Sequence, residues 1–205
     1  MPKTGGSWIT SALVAAGVEV QQLQRPANGV VAAHADLART EDHAGLFTFA
    51  FVRHPLDWWR SAWGHRMRLG WNDDHPIDSQ ARSEDFNEFI ALVIDRLPGF
   101  QARRLARYIG TPDRPISFIG RYESLVDDLV TALRLAGEEF DEHALRRHPR
   151  ENCNDYERFP ALYDRRLATR LAECEGATIE RFYPTDTVPE WLIASPDPAA
   201  ALRVQ

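Results

Sequence analysis

An almost unbroken apolar run, LFTFAFV, spans Leu46 to Val52 and constrains the fold more than any other stretch of this chain. Its phenylalanines and its valine favour β-structure, and consecutive apolar residues are typical of a strand that is buried on both faces, as in a parallel sheet. Arg53 follows directly, and Pro55 stands where the first residue of a helix is expected. The sequence therefore predicts a buried strand that ends at an arginine and turns into a helix reaching about Leu69.

The other segments alternate between short strands and amphipathic helices. Strands are predicted for residues 18–23 and 116–119, and helices for residues 7–16, 84–97, 100–108, 122–136 and 161–182. Strands that alternate with helices indicate an α/β fold. We predict a single α/β domain over residues 1–184, with a mainly parallel central sheet flanked by helices, and a surface tail over residues 185–205.

Charge and cysteine content exclude several classes of function. The formal net charge of −6 argues against a general nucleic-acid binder and against a protein that binds membrane surfaces. No apolar stretch is long enough to span a bilayer, and we expect no signal peptide. The two cysteines, Cys153 and Cys174, have neither metal-ligand spacing nor the pattern of a disulfide framework, so we predict reduced thiols in a cytoplasmic protein.

The run PKTGGSW, from Pro2 to Trp8, has the composition of a loop that binds an anion. Glycines allow backbone N–H groups to turn toward a ligand, and the N-terminus of the following helix adds partial positive charge. Lys3 supplies a full charge, and Thr4 and Ser7 supply hydroxyl donors. The run is not a Walker A loop, because in that motif the lysine follows the glycines. The alternative interpretation is a glycine turn that only begins a surface helix.

A second candidate anion site combines Arg53 with Ser61. Open α/β sheets bind ligands at the carboxyl ends of their strands, which is where Arg53 is predicted to lie. Ser61 comes eight residues later, about two turns inside the predicted helix. The planar fork of an arginine matches the oxygens of a phosphate. The alternative is a surface arginine and an ordinary helix serine with no shared ligand.

Together these stretches resemble the sulfotransferase family, whose members use 3′-phosphoadenosine 5′-phosphosulfate (PAPS). PKTGGSW is similar to that family's 5′-phosphosulfate loop, and FVRHPLDWWRSAW is similar to its 3′-phosphate motif. A third stretch, SFIGRYESLVDDL, resembles the family's segment in which a strand leads to Tyr-Glu-x-Leu. The three stretches occur in the family's order, and the resemblance spans Pro2 to Tyr183.

The resemblance implies how the donor is bound. The loop residues would hold the 5′-phosphosulfate, the strand-end arginine and the helix serine would hold the 3′-phosphate, and two aromatic residues would contact the adenine. The implied donor-binding residues are Lys3, Thr4, Gly5, Gly6 and Ser7 for the phosphosulfate, Trp8 and Tyr122 for the adenine, and Arg53, Ser61 and Arg150 for the 3′-phosphate. The alternatives are that Trp8 is a core residue and that Arg150 is a solvated loop residue.

The resemblance also implies the catalytic residues. Many family members place a general base, a histidine, between the first two motifs, and His34 is the matching residue here. Lys3 would stabilise the charge that grows on the departing phosphate. The weaker rivals of His34 are His43, His54, His65, His75 and the carboxylate of Asp36.

The acceptor is expected to be a small molecule or a glycan with a hydroxyl or an amine, and no metal is implied. Trp71 and the polar loop over residues 70–85 are predicted to border the acceptor pocket, because long loops at a sheet edge often carry substrate contacts. A phosphate-binding loop normally follows a buried strand, so we expect the first strand either to be truncated or to lie upstream. Two other functions stay open: a P-loop kinase or other nucleotide-binding transferase, and a non-catalytic nucleotide-binding member of the fold.

Overall fold

A computed structural model of the chain describes residues 3–20, 26–27, 30–31, 45–111, 114–151 and 153–195. Helix and strand are mixed, and the structure is 55% helical. The chain divides into two compact units, of which the first combines Met1–His54 with Gln101–Cys153 and the second combines Pro55–Phe100 with Asn154–Gln205. Within the described ranges, no helix has both the length and the apolar character that crossing a membrane would require.

The first unit contains the strands and the helices that pack on them. Its elements are α1 (Gly6–Ala15), β1 (Pro26–Ala27), β2 (Val30–Val31), β3 (Phe49–Val52), most of α5 (Phe100–Ala106), β4 (Gly110–Thr111), β5 (Arg114–Pro115), β6 (Phe118–Arg121), α6 (Leu125–Ala136) and α7 (Glu142–Arg147).

The predicted buried strand is present as β3, and it pairs in parallel with β6. The register aligns Phe49 with Phe118 and Val52 with Arg121. Strand β3 is shorter than predicted, because it begins three residues after Leu46. Strand β6 begins later than predicted, two residues after position 116. The predicted mainly parallel central sheet is represented, in the part of the chain that the structure describes, by this one parallel pair, while β1–β2 and β4–β5 are antiparallel pairs. Because β3 and β6 are parallel, their carboxyl ends lie at the same edge.

The core of the first unit holds α1 against β3 and α6. Buried positions on α1 recur at the spacing of one helix face, and they meet one aromatic residue of β3 together with apolar residues of α6 and α7. The cluster consists of Trp8, Ala12, Ala16, Phe51, Leu129, Val130, Leu133 and Leu145.

Two glycines end helices of the first unit, as the sequence predicts. Gly17 follows α1 with a φ of 80°, and Gly137 follows α6 with a φ of 75°. Both values are in the left-handed region, which glycine adopts without the steric penalty of a Cβ. The helix predicted for residues 122–136 begins with a 3₁₀ turn over Tyr122–Ser124 and continues as α6. Of the predicted strand at residues 18–23, residues 18–20 are not in a strand, and the others lie outside the described residues.

Among its described residues, the regular structure of the second unit is helical, apart from an isolated parallel β-bridge between Tyr163 and Ile193. Its elements are α2 (Pro55–Leu69), α3 (Pro76–Ala81), α4 (Phe86–Arg96), α8 (Arg165–Cys174), α9 (Gly176–Phe182) and a 3₁₀ turn over Glu190–Leu192.

Three tryptophans of α2 form the aromatic centre of the second unit. Trp58, Trp59 and Trp63 are all buried, and the rings of Trp58 and Trp59 meet edge to face with centroids 5.0 Å apart. The indole of Trp59 also contacts Phe89 of α4, at 5.9 Å between centroids. Burial of these large rings stabilises α2, which is helical for its full predicted length.

Two predictions for the second unit are wrong in detail. The helix predicted over residues 161–182 is two helices, α8 and α9, which are separated at Glu175. The carboxylate of Glu175 is buried and accepts a hydrogen bond from the Trp59 indole at 3.1 Å. The segment predicted as a polar loop, residues 70–85, contains α3. This short helix is anchored by Ile77 and Asp78, which are both buried, and it is capped by the ring of His75.

Candidate functional site

The predicted anion loop is a tight turn that leads into α1. Lys3 has a φ of 66°, and Gly5 has a φ of 85°. A Cβ on Gly5 would lie 2.7 Å from a methyl carbon of Leu125, so the end of that side chain would have to shift, and the left-handed conformation itself favours glycine there. Thr4 is buried, whereas Gly6 and Ser7 are exposed. The loop thus has a fixed inner side and an open outer side at the beginning of the helix.

The N-terminus of α1 is available to a ligand. Gly5 is the N-cap residue, and within the described ranges no side chain caps this end of the helix. The first N–H groups of any helix lack partners inside the helix, and here Gly6 and Ser7 carry them at the surface. The helix dipole adds partial positive charge at the same place. Lys3, in the loop before the helix, carries a full positive charge. This combination of donors and charge is suited to an anion.

Arg53 joins this loop to the end of β3. Its side chain is 7% exposed, and its Nη1 donates a hydrogen bond to the carbonyl oxygen of Lys3 at 3.0 Å. The guanidinium also lies over the ring of Tyr122, 4.0 Å from the centroid. The structure therefore brings together Lys3, Arg53 and Tyr122, which the sequence predicts in three separate stretches.

The turn after Arg53 is held by Glu123, which the sequence analysis did not single out. The backbone N–H of His54 donates to Oε1 of Glu123 at 2.8 Å, and the His54 side chain is buried. Because Glu123 follows β6 and His54 follows β3, this hydrogen bond ties the ends of the two parallel strands together. The sequence did contain a signal for Glu123, since it is the glutamate of the Tyr-Glu-x-Leu segment and directly follows the predicted adenine contact.

Trp8 and Tyr122 lie in different surroundings. Trp8 is 7% exposed and belongs to the core cluster of the first unit. Its packing role is therefore evident from the structure, and stacking on an adenine stays a prediction. Tyr122 is half-buried, with one side of its ring on Arg53.

His148 is a second residue that the sequence analysis did not single out. Its Nε2 lies 3.1 Å from Oγ of Ser11 and 3.2 Å from Oε1 of Glu151. Both contacts are made at the same ring nitrogen, unlike a catalytic triad, in which the acid and the nucleophile lie at opposite nitrogens. Arg150, the predicted second 3′-phosphate contact, is exposed two residues further on.

The other predicted site residues are placed as follows. His34, the predicted general base, lies outside the described residues. Ser61 is 7% exposed in α2 of the second unit, and its backbone carbonyl accepts a hydrogen bond from Nδ2 of Asn154 at 3.2 Å. Trp71 is half-buried in the second unit, with its ring centroid 6.1 Å from that of Phe89.

The arrangement in the first unit provides cationic groups and N–H donors at one strand edge. Arg53 and Lys3 are the cations, and Glu123, which follows β6, accepts the N–H of His54. Among the described residues, no group of three or more His, Cys, Asp or Glu side chains is arranged to hold a metal ion. The chemistry that fits this arrangement is the binding of an anion. In comparisons with known proteins, no family model, no curated protein and no solved structure matches this chain.

Proposed function

We propose that this protein is a sulfotransferase that moves a sulfuryl group from PAPS to a hydroxyl or an amine of a small-molecule or glycan acceptor. The observation that carries the proposal is the hydrogen bond from Arg53 to the carbonyl of Lys3, two residues 50 positions apart in the chain. A donor with a phosphosulfate at one end and a phosphate at the other needs two anion sites near each other. The contact between the glycine loop and the strand-end arginine supplies that proximity.

The 5′ end of the donor is assigned to the loop of residues 3–7. The N–H groups of Gly6 and Ser7 stand at the exposed start of α1, and Lys3 precedes them in the same loop. Donors that are fixed in place before the reaction stabilise charge as it develops, without the cost of reorienting water. In sulfuryl transfer this charge grows on the phosphate that departs, so the loop acts where the transition state needs it.

The 3′ end is assigned to Arg53. The guanidinium is an unusually suitable group here, because its planar fork can bind phosphate oxygens while its face stays on the ring of Tyr122. Ser61 and Arg150 remain predicted further ligands of the 3′-phosphate. A mainly parallel central sheet, whose first strand before the glycine loop is either truncated or upstream, is likewise part of the proposal.

The reaction requires one proton transfer. The acceptor oxygen or nitrogen forms a bond to sulfur, the bond from sulfur to the bridging phosphate oxygen breaks, and adenosine 3′,5′-bisphosphate leaves with the electron pair of that bond. A base must take the acceptor's proton, and His34 is proposed for it. Replacing His34 with alanine should lower kcat by about 10²–10⁴-fold and leave nucleotide affinity nearly unchanged.

The donor site is tested by calorimetric titration with adenosine 3′,5′-bisphosphate. Arg53→Ala should weaken binding by about 2–3 kcal/mol, roughly a hundredfold in Kd, because a charged donor is lost from a buried position. Arg121→Ala is the matched control, since Arg121 ends the partner strand β6 and is exposed. It should bind like the wild type.

A parallel titration with ATP and Mg²⁺ separates the proposal from a nucleotide kinase. Tight binding of the bisphosphate together with weak binding of ATP supports a sulfotransferase. The reverse order of affinities contradicts the proposal. Bisphosphate binding without sulfation of any acceptor in a broad panel would instead favour a non-catalytic member of the fold.

A further inference from the structure

We infer that Arg53 is a positioning residue for the anion loop, in addition to any contact that it makes with a ligand. Its guanidinium holds the backbone of Lys3 in the conformation that points the loop and the start of α1 outward. The part of this inference that concerns nucleotides rests on the proposed function, whereas the part that concerns the loop does not.

The conformation of Lys3 needs an external restraint. A φ of 66° places this residue in the left-handed region, which is sterically unfavourable for a residue that carries a Cβ. Such a conformation persists only where the surrounding structure determines it. The hydrogen bond from Nη1 of Arg53 to the Lys3 carbonyl, at 3.0 Å, acts directly on the residue in question.

Arg53 is itself well fixed, so it can serve as a restraint. It directly follows β3, its side chain is 7% exposed, and its planar group lies on the ring of Tyr122. The next peptide is held as well, by the hydrogen bond from His54 to Glu123. The guanidinium of Arg53 therefore attaches the loop to the end of the parallel strand pair.

A lysine at this position would not replace the arginine. The ammonium of lysine is a compact charge without a planar face, so it cannot stack on Tyr122 and bond to the Lys3 carbonyl in the same fork geometry. Arg53→Lys therefore keeps the positive charge at the strand end and removes the positioning. This variant also guards against the case in which Arg53→Ala does not fold.

Amide hydrogen exchange tests the positioning role without any ligand. The N–H of Ile9 donates to the carbonyl of Gly5 at 2.9 Å, and this is the first hydrogen bond of α1 after the loop. Exchange at Ile9 should accelerate by about tenfold to a hundredfold in Arg53→Ala and Arg53→Lys, the range expected for losing a hydrogen bond with a charged donor. Arg121→Ala should exchange like the wild type. Unchanged exchange at Ile9 in both Arg53 variants would overturn the inference.

A pair of nucleotides then separates positioning from direct contact. Adenosine 5′-monophosphate lacks the 3′-phosphate, and adenosine 3′,5′-bisphosphate has it. If Arg53 positions the loop, Arg53→Lys should weaken binding of the monophosphate by about tenfold or more. A loss confined to the bisphosphate would show that Arg53 acts only on the 3′-phosphate and would overturn the inference. If the wild type binds neither nucleotide, the proposed function fails, and exchange at Ile9 alone decides whether Arg53 positions the loop.

Discussion

Two adjacent glycines in the anion loop should respond in opposite directions to the same substitution. Gly5 has a φ of 85°, and a Cβ there would lie 2.7 Å from Cδ2 of Leu125. Gly6 begins α1 with helical geometry, and a Cβ there would meet no described atom within 4 Å. Alanine at position 5 therefore adds strain, whereas alanine at position 6 only restricts the unfolded chain.

The magnitudes follow from these two environments. A left-handed conformation costs an alanine about 1–2 kcal/mol relative to glycine. A compatible Gly→Ala substitution stabilises by about 0.4–1 kcal/mol. For a chain of 205 residues, 1 kcal/mol corresponds to roughly 2–4 °C in Tm. Gly5→Ala should therefore lower Tm by about 2–8 °C, and Gly6→Ala should raise it by about 1–4 °C.

Thermal unfolding followed by circular dichroism provides the measurement. A double-mutant cycle with Leu125→Ala separates the two causes in Gly5→Ala, because the contact with Leu125 disappears in that background and the backbone strain does not. In the Leu125→Ala protein, Gly5→Ala should thus lower Tm by less than it does in the wild type, but should still lower it. Shifts of the same sign for Gly5→Ala and Gly6→Ala would refute the reasoning from φ and from packing.

Three further predictions concern the second unit. Tyr163→Phe should cost about 1 kcal/mol at neutral pH, because the hydroxyl donates to a carbonyl of α2 at 2.6 Å. Burial, followed by the charge of a nearby acid, raises the pKa of Tyr163 well above its usual value, so this tyrosine ionises in the unfolded chain at a lower pH than in the folded protein. The free energy of unfolding of the wild type, measured in urea titrations, should therefore fall relative to that of Tyr163→Phe by roughly 1 kcal/mol between about pH 10 and 11. Trp59→Phe should lower the free energy of unfolding by about 1.5–3 kcal/mol, because the Trp59 indole donates to the buried carboxylate of Glu175. Trp63→Phe should lower it less, because the Trp63 indole donates to a neutral carbonyl. Trp71→Ala should raise the acceptor KM; a lower Tm with an unchanged KM would contradict its role at the acceptor pocket.

Local signals in the sequence were sufficient for several elements of the fold. Pro55 marks the first residue of α2, and Gly17 and Gly137 mark the ends of α1 and α6, because each depends on the φ preference of a single residue. The proximity of Lys3 and Arg53 was also predictable, since binding the two ends of one donor would require two anion sites near each other.

Other features depend on contacts that no local pattern contains. The break between α8 and α9 occurs at Glu175, whose buried carboxylate meets the indole of Trp59, 116 residues earlier in the chain. The start of β6 is set by pairing with β3 rather than by the apolar run itself. Helix α3 has a local start signal in His75 and Pro76, but the burial of Ile77 and Asp78 within the second unit, which holds it in place, has none. Sequence periodicity cannot anticipate partners that distant.

The parallel pairing of β3 with β6 has a consequence for synthesis of the chain. Every paired position lies 69 residues from its partner, as Phe49 does from Phe118. At about 5–20 residues per second, the ribosome needs roughly 3–14 s to produce the missing strand. During that interval β3 is an unpaired apolar strand, which is a typical substrate for chaperones and a typical starting point for aggregation. The same strand that later presents Arg53 to the loop is therefore exposed to wrong pairing while the chain is still being made.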